Sequence, residues 1–584
     1  MLRFRVTSGK IPSLEIFRRL SSHIREVIGR HHLAATIIPV LLVSGLIAFF
    51  WRTEGEIENI AFTAGTTAAL IAVLTLMTRR LFFSTLIVSS MVAIVAWASM
   101  TKRQTMDMVV HAYDLFFYLS SWSTISYLWA DHRHLVISFV AGIVMMFVAG
   151  WIAWRFDTTR IPIKASAIGF LLAVAVSTAG AATKGERRHM QFHFQNLYVS
   201  SFYASWAETL GTLWHGTMLE AKEQNVSTKP FVVSDVCTPK GRRPHIVLIH
   251  QESIVPPGMF PALSYDRSVD TMFKSDDGKT HGLRVETFGG ASWLSEFSLL
   301  TGISTQAFGG MRQFVQTFTV NRLKDTLPQS LAACGYRNVV FYPMLRNFVS
   351  NDKFYKSIGL TEVFDLRDQK AKSAQERDRF YFANALAEME RHVASSDQPL
   401  FTYIQTMSGH WPYDVPFAPD ENVPGGGPGT HPEMHEYLRR ISLANRDFNW
   451  LMDEIKRRLP NEPVLIVHYG DHQPTATRTL LGFRQELEEP EDITLTPDSP
   501  GFLVYYAMRG HNWRVPALPD HKNVDIPYLG ALILRGAGLP LSDANRYRLE
   551  MMDACGGRYW GCSNKDRVLA FHRRLIDSGI IIAR

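Results

Sequence analysis

Two apolar runs of this chain each end in side chains that can bind a metal ion. The run 464–467 is followed closely by Asp471 and His472, where a strand built from it is expected to end. The run 246–249 leads in the same way to Glu252. Carboxylates and imidazoles at the carboxyl ends of neighbouring strands can hold a divalent cation. The two runs therefore predict one shared metal site in an α/β domain.

A turn of small residues, 289–291, leads into a predicted helix that has Ser292 near its start. The free N–H groups and the positive dipole end of a helix favour an anion at this place. A hydroxyl there, close to a divalent cation, can become acidic enough to attack phosphorus. Alone, the pattern favours a simple N-cap with Ser295 and Glu296 in its first turn. The nearby metal-binding side chains favour a nucleophile instead.

The chain from residue 245 onward alternates predicted strands and helices. Such alternation predicts a mostly parallel sheet covered by helices on both faces. The glycine-rich stretch 424–429 opens no helix, so it is expected to be a loop and not a phosphate cradle. The predicted strands are 245–250, 337–342, 400–405, 463–468 and 502–507, and the predicted helices include 325–333, 377–393 and 433–458.

The first third of the chain has the composition of a membrane domain. With the N-terminus inside, the inner loops 79–80 and 155–164 are net positive, whereas the outer loop 52–59 has one Arg and three Glu. Cytoplasmic loops are enriched in Lys and Arg, so the chain after residue 182 is expected outside the cytoplasm. Five apolar runs are long enough to cross a bilayer: 33–51, 60–78, 81–100, 134–154 and 163–182.

Polar and aromatic segments lie before, between and after these apolar runs. Residues 1–32 carry seven Lys or Arg and two Glu, which indicates a basic cytoplasmic tail near anionic lipid and no nucleic-acid binding. The aromatic segments 104–130 and 191–215 predict helices in the membrane interface, either as anchors or as a grip on a lipid substrate. Residues 183–244 are expected to form juxtamembrane helices and a linker.

The chain has four cysteines and no CxxC pattern, so a cysteine-based zinc site is disfavoured. Outside the cytoplasm all four cysteines can form disulfides. Cys555 and Cys562 bracket a short loop that a disulfide would close locally. The pairing of Cys237 with Cys334 is the weaker expectation, and the pairings stay open at this point.

Several motifs taken together resemble a known family. These are Glu252, the Gly-x-Ser-x-x-x-Glu-Phe segment at 290–297, Ser-Gly-His-Trp-Pro-Tyr at 408–413 and Gly-Asp-His at 470–472. They resemble the lipoteichoic-acid-synthase-like branch of the alkaline-phosphatase/sulfatase superfamily. The resemblance implies a five-helix transmembrane domain at 33–182 in a bacterial inner membrane and a periplasmic catalytic domain at 245–584. It also implies transfer of phosphoglycerol or phosphoethanolamine from a membrane phospholipid to a glycan or lipopolysaccharide.

The same resemblance implies a role for individual residues. Glu252, Asp471 and His472 would bind one divalent ion, Zn or Mn, and Ser292 would be both the nucleophile and the fourth ligand. His410 would contact the phosphoryl group or the leaving oxygen.

Two departures from the family pattern concern the substrate. The family nucleophile is usually Thr, and Ser292 keeps the required hydroxyl. Phosphoglycerol-transferring relatives carry Phe-Trp-Asn-Arg-Asp where this chain has Phe-Val-Ser-Asn-Asp at 348–352. Because the tryptophan and the arginine are missing, phosphoethanolamine is at least as favoured as phosphoglycerol. Arg346, Asn351 and Asp352 are the candidate head-group residues.

The same residues are compatible with other activities. A hydrolase of the same superfamily would use the same residues with water as acceptor. A non-enzymatic sensor of anionic glycans is disfavoured because all four ligand positions carry competent side chains. A formylglycine sulfatase is disfavoured because the Ser292 segment lacks the proline and arginine of that pattern. His468, Asp365 and His511 are candidates for a second metal, but each is more often a structural polar group.

Overall fold

The computed structural model describes residues 32–582, with the gaps given at the end of this paragraph. The chain divides into two compact units, one of residues 1–112 and 128–207 and the other of residues 113–127 and 208–584. The predicted basic tail up to residue 31 lies outside the described residues, as does part of each predicted interfacial segment. The gaps are 107–108, 118–124, 126–127, 130–131, 158, 183–196, 216–217, 222–228, 234–236, 239–240, 347–350 and 483–497.

The first unit is helical. Among the described residues, the stretches long and apolar enough to cross a membrane are Ile57–Thr78, Leu81–Gln104, Arg133–Arg155 and Ile163–Ala182. They correspond to the last four predicted spans. The first predicted span lies in a helix whose apolar part, Ile37–Thr53, is shorter, so the count of five stays a prediction. The helices that lie wholly in this unit, or in both units as α4 and α7 do, are α1 (His32–Thr53), α2 (Ile57–Thr78), α3 (Leu81–Met106), α4 (Ala112–Phe117), α5 (Arg133–Phe156), α6 (Ile163–Ala182) and α7 (Ser200–His215).

Small residues let α2 and α6 pack closely. A Cβ atom at Gly65 would lie 2.5 Å from the backbone nitrogen of Ser177, and one at Gly180 would lie 2.5 Å from the carbonyl oxygen of Glu58. In lipid no hydrophobic effect drives helices together, so they associate through close van der Waals packing of this kind. The pair therefore depends on glycine at these two positions.

The second unit contains one mixed eight-stranded sheet in the order β4-β3-β5-β1-β6-β7-β2-β8. All five predicted strands are present. The sequence pattern missed the short strands β2, β4 and β8, which have too few residues to show a periodicity. The strands are β1 (His245–Gln251), β2 (His281–Arg284), β3 (Arg337–Phe341), β4 (Glu362–Phe364), β5 (Leu400–Gln405), β6 (Val464–Gly470), β7 (Leu503–His511) and β8 (Asn523–Asp525).

The centre of the sheet is parallel and fully buried. β1 pairs in parallel with β5 and β6, and every residue of these three strands is buried. Burial along the whole strand is typical of a parallel sheet with both faces covered. β7 departs from this pattern because it runs antiparallel to both β6 and β2.

The three predicted helices of this unit are present with shifts of one or two residues at their ends. The first of them has a reciprocal capping box between Thr326 and Gln329, which explains where it begins. The α-helices of the unit are α8 (Ser292–Thr301), α9 (Val315–Phe318), α10 (Leu327–Ala333), α11 (Asn351–Ser357), α12 (Asp378–Val393), α13 (Pro432–Arg458), α14 (Leu529–Gly536), α15 (Asp543–Ala554) and α16 (Lys565–Asp577).

Both expected disulfides are formed, Cys237 with Cys334 and Cys555 with Cys562. The second closes the short local loop that the sequence suggested. Disulfides persist in oxidising compartments, so this pairing agrees with a domain outside the cytoplasm.

Candidate functional site

The ends of β1 and β6 position the first two candidate ligands. In the parallel register, Gln251 is opposite Gly470, so Glu252 and Asp471 are the next residues of two adjacent strands. Parallel strands that end together place such side chains at the same edge of the sheet. Glu252 and Asp471 are both buried at that edge.

The four predicted ligands converge there. Ser292 Oγ donates a hydrogen bond to Glu252 Oε2 at 2.9 Å and lies 3.4 Å from His472 Nε2. His472 Nε2 lies 3.2 Å from Glu252 Oε1 and 3.3 Å from Asp471 Oδ2. Residues far apart in the chain thus bring two carboxylates, one imidazole and one hydroxyl to a single point.

The loop before α8 fixes the position of Ser292. Phe288 forms a parallel bridge with Gln473, and the N–H of Gly289 donates to the Gln473 carbonyl at 2.9 Å. Ser295, in the first turn of α8, donates to the carbonyl oxygen of Asp471 at 2.5 Å. Two contacts therefore tie the start of the helix to the end of β6.

The backbone is strained on both sides of the site. Ala291, directly before Ser292, has φ +60°, and Ser253, directly after Glu252, has φ +59°. A left-handed conformation at a residue other than glycine costs free energy and persists only where the surrounding contacts impose it. At Ser253 these contacts are visible, because its N–H donates to Asp471 Oδ1 at 2.8 Å and its hydroxyl donates to Glu252 Oε1 at 2.9 Å.

His472 turns its Nε2 toward the other candidate ligands. Its Nδ1 is 3.0 Å from the carbonyl oxygen of Gln473, which can only accept, so Nδ1 carries the proton and Nε2 faces the carboxylates. Burial alone would lower the pKa of His472, but the charges of Asp471 and Glu252 outweigh it and raise the pKa to about 9. The pocket thus favours a positive charge at the position of Nε2.

The donor set fits a divalent cation. Asp471 Oδ2 is buried and accepts no hydrogen bond from any described residue, although two imidazole nitrogens lie within 3.3 Å of it. An orphaned carboxylate oxygen beside a second carboxylate, an imidazole and a hydroxyl is an arrangement that a Zn or Mn ion satisfies. The fixed Nδ1–H of His472 supplies the outer hydrogen bond that metal-binding histidines usually make.

His250 belongs to this centre and was missing from the predicted ligand set. Its Nε2 lies 3.1 Å from Asp471 Oδ2, and its Nδ1 lies 2.8 Å from the Tyr469 hydroxyl and 3.2 Å from that of Tyr403. His250, Glu252 and Asp471 each offer an atom within 4.8 Å of the others. The strand alternation was a usable signal, because His250 stands two residues before Glu252 and so on the same face of the strand.

His410 lies beside the centre on a loop that touches the ligand strand. A Cβ atom at Gly409 would be 2.2 Å from the carbonyl oxygen of Glu252, so the loop backbone lies directly against that residue. His410 Nδ1 is 2.5 Å from the carbonyl oxygen of Trp411, which assigns the proton to Nδ1. Burial alone would raise the pKa of Glu252. The charges of His472 and His410 outweigh this effect and hold the pKa of Glu252 well below its usual value.

The three predicted head-group residues are near one another but are not part of the ligand cluster. Arg346 forms ion pairs with Asp365, at 3.0 Å, and with Asp368. Asn351 and Asp352 begin α11, and the N–H of Asp352 donates to the Arg346 carbonyl at 2.8 Å. Residues 347–350 lie outside the described residues.

A buried polar network connects α11 with the helix of Ser292. Glu296, one turn after Ser292, accepts hydrogen bonds from the Tyr355 hydroxyl at 2.6 Å, from Gln405 at 2.5 Å and from Gln316 at 2.7 Å. Burial raises the pKa of Glu296 above its usual value. The sequence placed Glu296 only in the first turn of the helix and in the family motif, and it gave no sign of these contacts because the three partners lie in distant segments.

The candidates for a second metal do not assemble. His468 Nδ1 is 3.0 Å from the Tyr505 hydroxyl, His511 Nε2 is 3.0 Å from the Leu459 carbonyl oxygen, and Asp365 pairs with Arg346. Each has a structural partner of its own in the described part of the chain.

The fold and the site together define an α/β domain with a serine hydroxyl at a candidate metal centre of two carboxylates and an imidazole. Residues 244–508 match the family model described as Sulfatase, so this part of the chain is similar to the domains of that family.

The proteins similar to this chain include two curated relatives and a solved structure. An uncharacterized protein of Haemophilus influenzae is 25% identical over 339 residues, which are 56% of this chain and 57% of that protein. A Rhizobium meliloti protein, provisionally named cyclic beta-1,2-glucan modification protein, is 24% identical over 262 residues, 43% of this chain and 40% of its own. The solved structure of lipooligosaccharide phosphoethanolamine transferase A from Neisseria meningitidis matches with 14% identity and a TM-score of 0.47. The match covers 86% of this chain and 96% of the Neisseria chain. The match thus spans less than two thirds of either curated relative.

The first prediction concerns His250. Removing its imidazole by His250→Ala deprives Asp471 of its buried neighbour, and we expect the affinity for Zn to fall by about 10- to 100-fold, the usual effect of an outer-shell partner. Competition with a chelator of known affinity, on the full chain in detergent, measures this change.

His468→Ala is the matched control for that experiment. His468 is also a buried histidine held by a tyrosine hydroxyl, on the strand next to that of His250, but it makes no contact with the candidate ligands. Equal losses of Zn affinity in the two variants would show that His250 acts only through general stability.

The second prediction concerns Asp378, which supports the loop of His410. Its Oδ1 accepts the N–H of Ser408 at 3.3 Å, and burial raises its pKa to about 7, with the charge of Asp447 adding to the effect. An unfolded Asp has a pKa of about 3.9, so the folded chain binds this proton more tightly. This contribution to stability is present at low pH and is lost as the pH rises toward 7.

Asp378→Asn removes that titration. We expect the stability of the variant relative to the natural chain to increase between about pH 4 and about pH 7 and then to stay constant. Thermal unfolding of both proteins across this range measures the difference. A difference that does not vary with pH would contradict the raised pKa.

Proposed function

We propose that this protein is a membrane-anchored transferase that moves a phosphoethanolamine or phosphoglycerol head group from a phospholipid to a glycan or lipopolysaccharide hydroxyl. One observation carries the proposal: Ser292, the first residue of α8, has its hydroxyl 2.9 Å from Glu252 Oε2 and 3.4 Å from His472 Nε2. The sulfatase-family match and the motif resemblance support phosphoryl chemistry. The name of the Rhizobium relative supports a glycan acceptor.

The proposed location is a bacterial inner membrane, with the α/β domain in the periplasm. The helices long enough to span a bilayer support a membrane anchor, and the loop charges and the two disulfides support this orientation.

The first half-reaction forms a phosphoserine. Ser292 Oγ transfers its proton toward Glu252, which already accepts its hydrogen bond, and attacks the head-group phosphorus. A P–O bond forms to Ser292 as the P–O bond to the glycerol of diacylglycerol breaks. His410 donates a proton from its Nε2 to the leaving oxygen, so diacylglycerol departs as a neutral alcohol.

The second half-reaction passes the group to the acceptor. A hydroxyl of the glycan attacks the phosphorus of the phosphoserine and gives its proton to His410 Nε2, and the P–O bond to Ser292 breaks as the proton on Glu252 returns to Oγ. His410 is suited to both transfers, because its Nδ1 holds a proton against the Trp411 carbonyl and its Nε2 can act as acid in the first half-reaction and as base in the second.

A Zn or Mn ion held by Glu252, Asp471, His472 and the Ser292 hydroxyl would supply charge neutralisation for the nucleophile and the phosphoryl oxygens. His250 would orient Asp471 within that set. The N-terminal end of α8 adds its free N–H groups on the side of the phosphoryl group.

The charges near α11 favour phosphoethanolamine. The guanidinium of Arg346 is already paired with Asp365 and Asp368, so its charge is compensated. Asn351 Oδ1 and Asp352 Oδ1 are buried acceptors that receive no hydrogen bond from any described residue. A primary ammonium offers three donors and a positive charge to such oxygens, whereas glycerol offers only neutral hydroxyls.

The third prediction tests the nucleophile. Ser292→Ala removes the attacking oxygen, and we expect release of diacylglycerol from phosphatidylethanolamine to fall by at least about a thousandfold. Ser292→Thr, which keeps the hydroxyl, should retain measurable turnover. Diacylglycerol is measured with the full chain in detergent, and intact-protein mass shows whether a phospho-adduct forms.

Comparing the fate of the head group distinguishes a transferase from a hydrolase. With a labelled phospholipid and an added cyclic β-1,2-glucan, the proposal predicts the label on the glucan. Label that appears only as free phosphoethanolamine would show that water is the acceptor. Full diacylglycerol release by Ser292→Ala would contradict the covalent step.

The fourth prediction tests the head-group contact. Asp352→Asn keeps the shape but removes the negative charge, so we expect the ratio of kcat/KM for phosphatidylethanolamine to that for phosphatidylglycerol to fall about tenfold. Lys356→Ala is the matched control, because it removes the 3.0 Å ion pair of Asp352 without changing the carboxylate. An unchanged ratio in Asp352→Asn, or an equal fall in Lys356→Ala, would remove Asp352 from the head-group site.

A further inference from the structure

The segment 410–415 exposes apolar surface beside the site. Trp411 is 59% exposed and Val415 is 57% exposed. Among the described residues from 245 onward, the only other strongly exposed large apolar side chain is that of Ile582, close to the end of the chain. An indole that is exposed to water near a reaction centre is a candidate contact for a substrate.

The backbone that carries Trp411 is held firmly. The buried guanidinium of Arg440 donates to the carbonyl oxygens of His410, of Pro412 at 2.6 Å and of Val415 at 3.0 Å. Glu436 pairs with the same guanidinium at 2.8 Å. The exposure of the indole is therefore imposed by a clamped backbone and is not that of a loose surface loop.

The clamped segment is also continuous with the reaction centre. Gly409 lies against the carbonyl oxygen of Glu252, where any side chain larger than hydrogen would collide. His410, the proposed proton carrier, is the residue between this contact and Trp411. Trp411 thus directly follows, along the clamped backbone, the residue that would deprotonate the acceptor hydroxyl.

The chemistry of the surface favours a sugar. The face of an indole is broad and apolar, and its edge carries one N–H donor. A pyranose ring has an apolar C–H face and hydroxyl groups around its edge, so it can stack on such a face. The neighbouring Asp414 is exposed and can accept hydrogen bonds from sugar hydroxyls, whereas its negative charge opposes contact with an anionic lipid surface.

We infer that Trp411 is the platform on which a pyranose of the acceptor glycan stacks while its hydroxyl reaches His410. This inference rests on the proposed function, since it specifies how the same site takes its second substrate. It assigns the acceptor side of the site to the segment 410–415 and the donor side to the start of α11.

A direct binding measurement tests the inference. The full chain in detergent is titrated with a cyclic β-1,2-glucan, and binding is followed by calorimetry. Trp411→Ala is expected to raise the Kd about tenfold, and Trp411→Tyr, which keeps a flat ring, to raise it much less. Val232→Ala, which trims an exposed apolar side chain outside the segment, is the matched control.

The outcomes separate this inference from the proposed function. A glucan Kd that depends on Trp411 supports the platform, whether or not head-group transfer is found. Absence of head-group transfer would contradict the proposed transferase function but not the platform. The platform is overturned if the glucan does not bind the natural chain, or if Trp411→Ala and Val232→Ala bind it equally well. It is also overturned if Trp411→Ala leaves the glucan Kd unchanged and raises the KM for phospholipid, since the indole would then contact lipid.

Discussion

The parallel pairing of β1 with β6 is the constraint that creates the candidate site. With Gln251 opposite Gly470, the next residue of each strand is a carboxylate, and both carboxylates are buried at the same edge of the sheet. A shift of the register by one residue would turn one of these side chains to the opposite face. The buried apolar residues of both strands hold the register, so the core of the domain determines the spacing of the candidate ligands.

Buried negative charge at this edge must be compensated, and much of the local structure serves that end. The imidazoles of His250 and His472 lie within 3.3 Å of Asp471 Oδ2, and backbone N–H groups of Ser253 and His472 donate to its other oxygen. Burying two carboxylates without such partners would be too costly. The left-handed backbone of Ser253 is a local cost of this arrangement, offset by its two hydrogen bonds to the ligands.

The sequence predicted those parts of the fold that have a local signal. Short apolar runs located the five longer strands, whereas β2, β4 and β8 are defined only by pairing with distant strands. The ligand positions were predictable because Glu252 and Asp471 directly follow apolar strands. The network of Glu296 was not predictable, since its partners Tyr355 and Gln405 meet only in the folded chain. The family resemblance directed attention to Arg346, whose charge the structure shows to be paired with Asp365 and Asp368.

Anomalous X-ray diffraction from crystals of the full chain grown with Zn or Mn would locate the metal and identify its ligands. Data collected on either side of the absorption edge locate the ion independently of any assumption about its ligands. We expect one strong peak within about 2.0 to 2.3 Å of side-chain atoms of Glu252, Ser292, Asp471 and His472, the usual range for zinc ligands. A metal bound elsewhere in the domain, with Ser292 Oγ beyond ligating distance, would contradict this expectation.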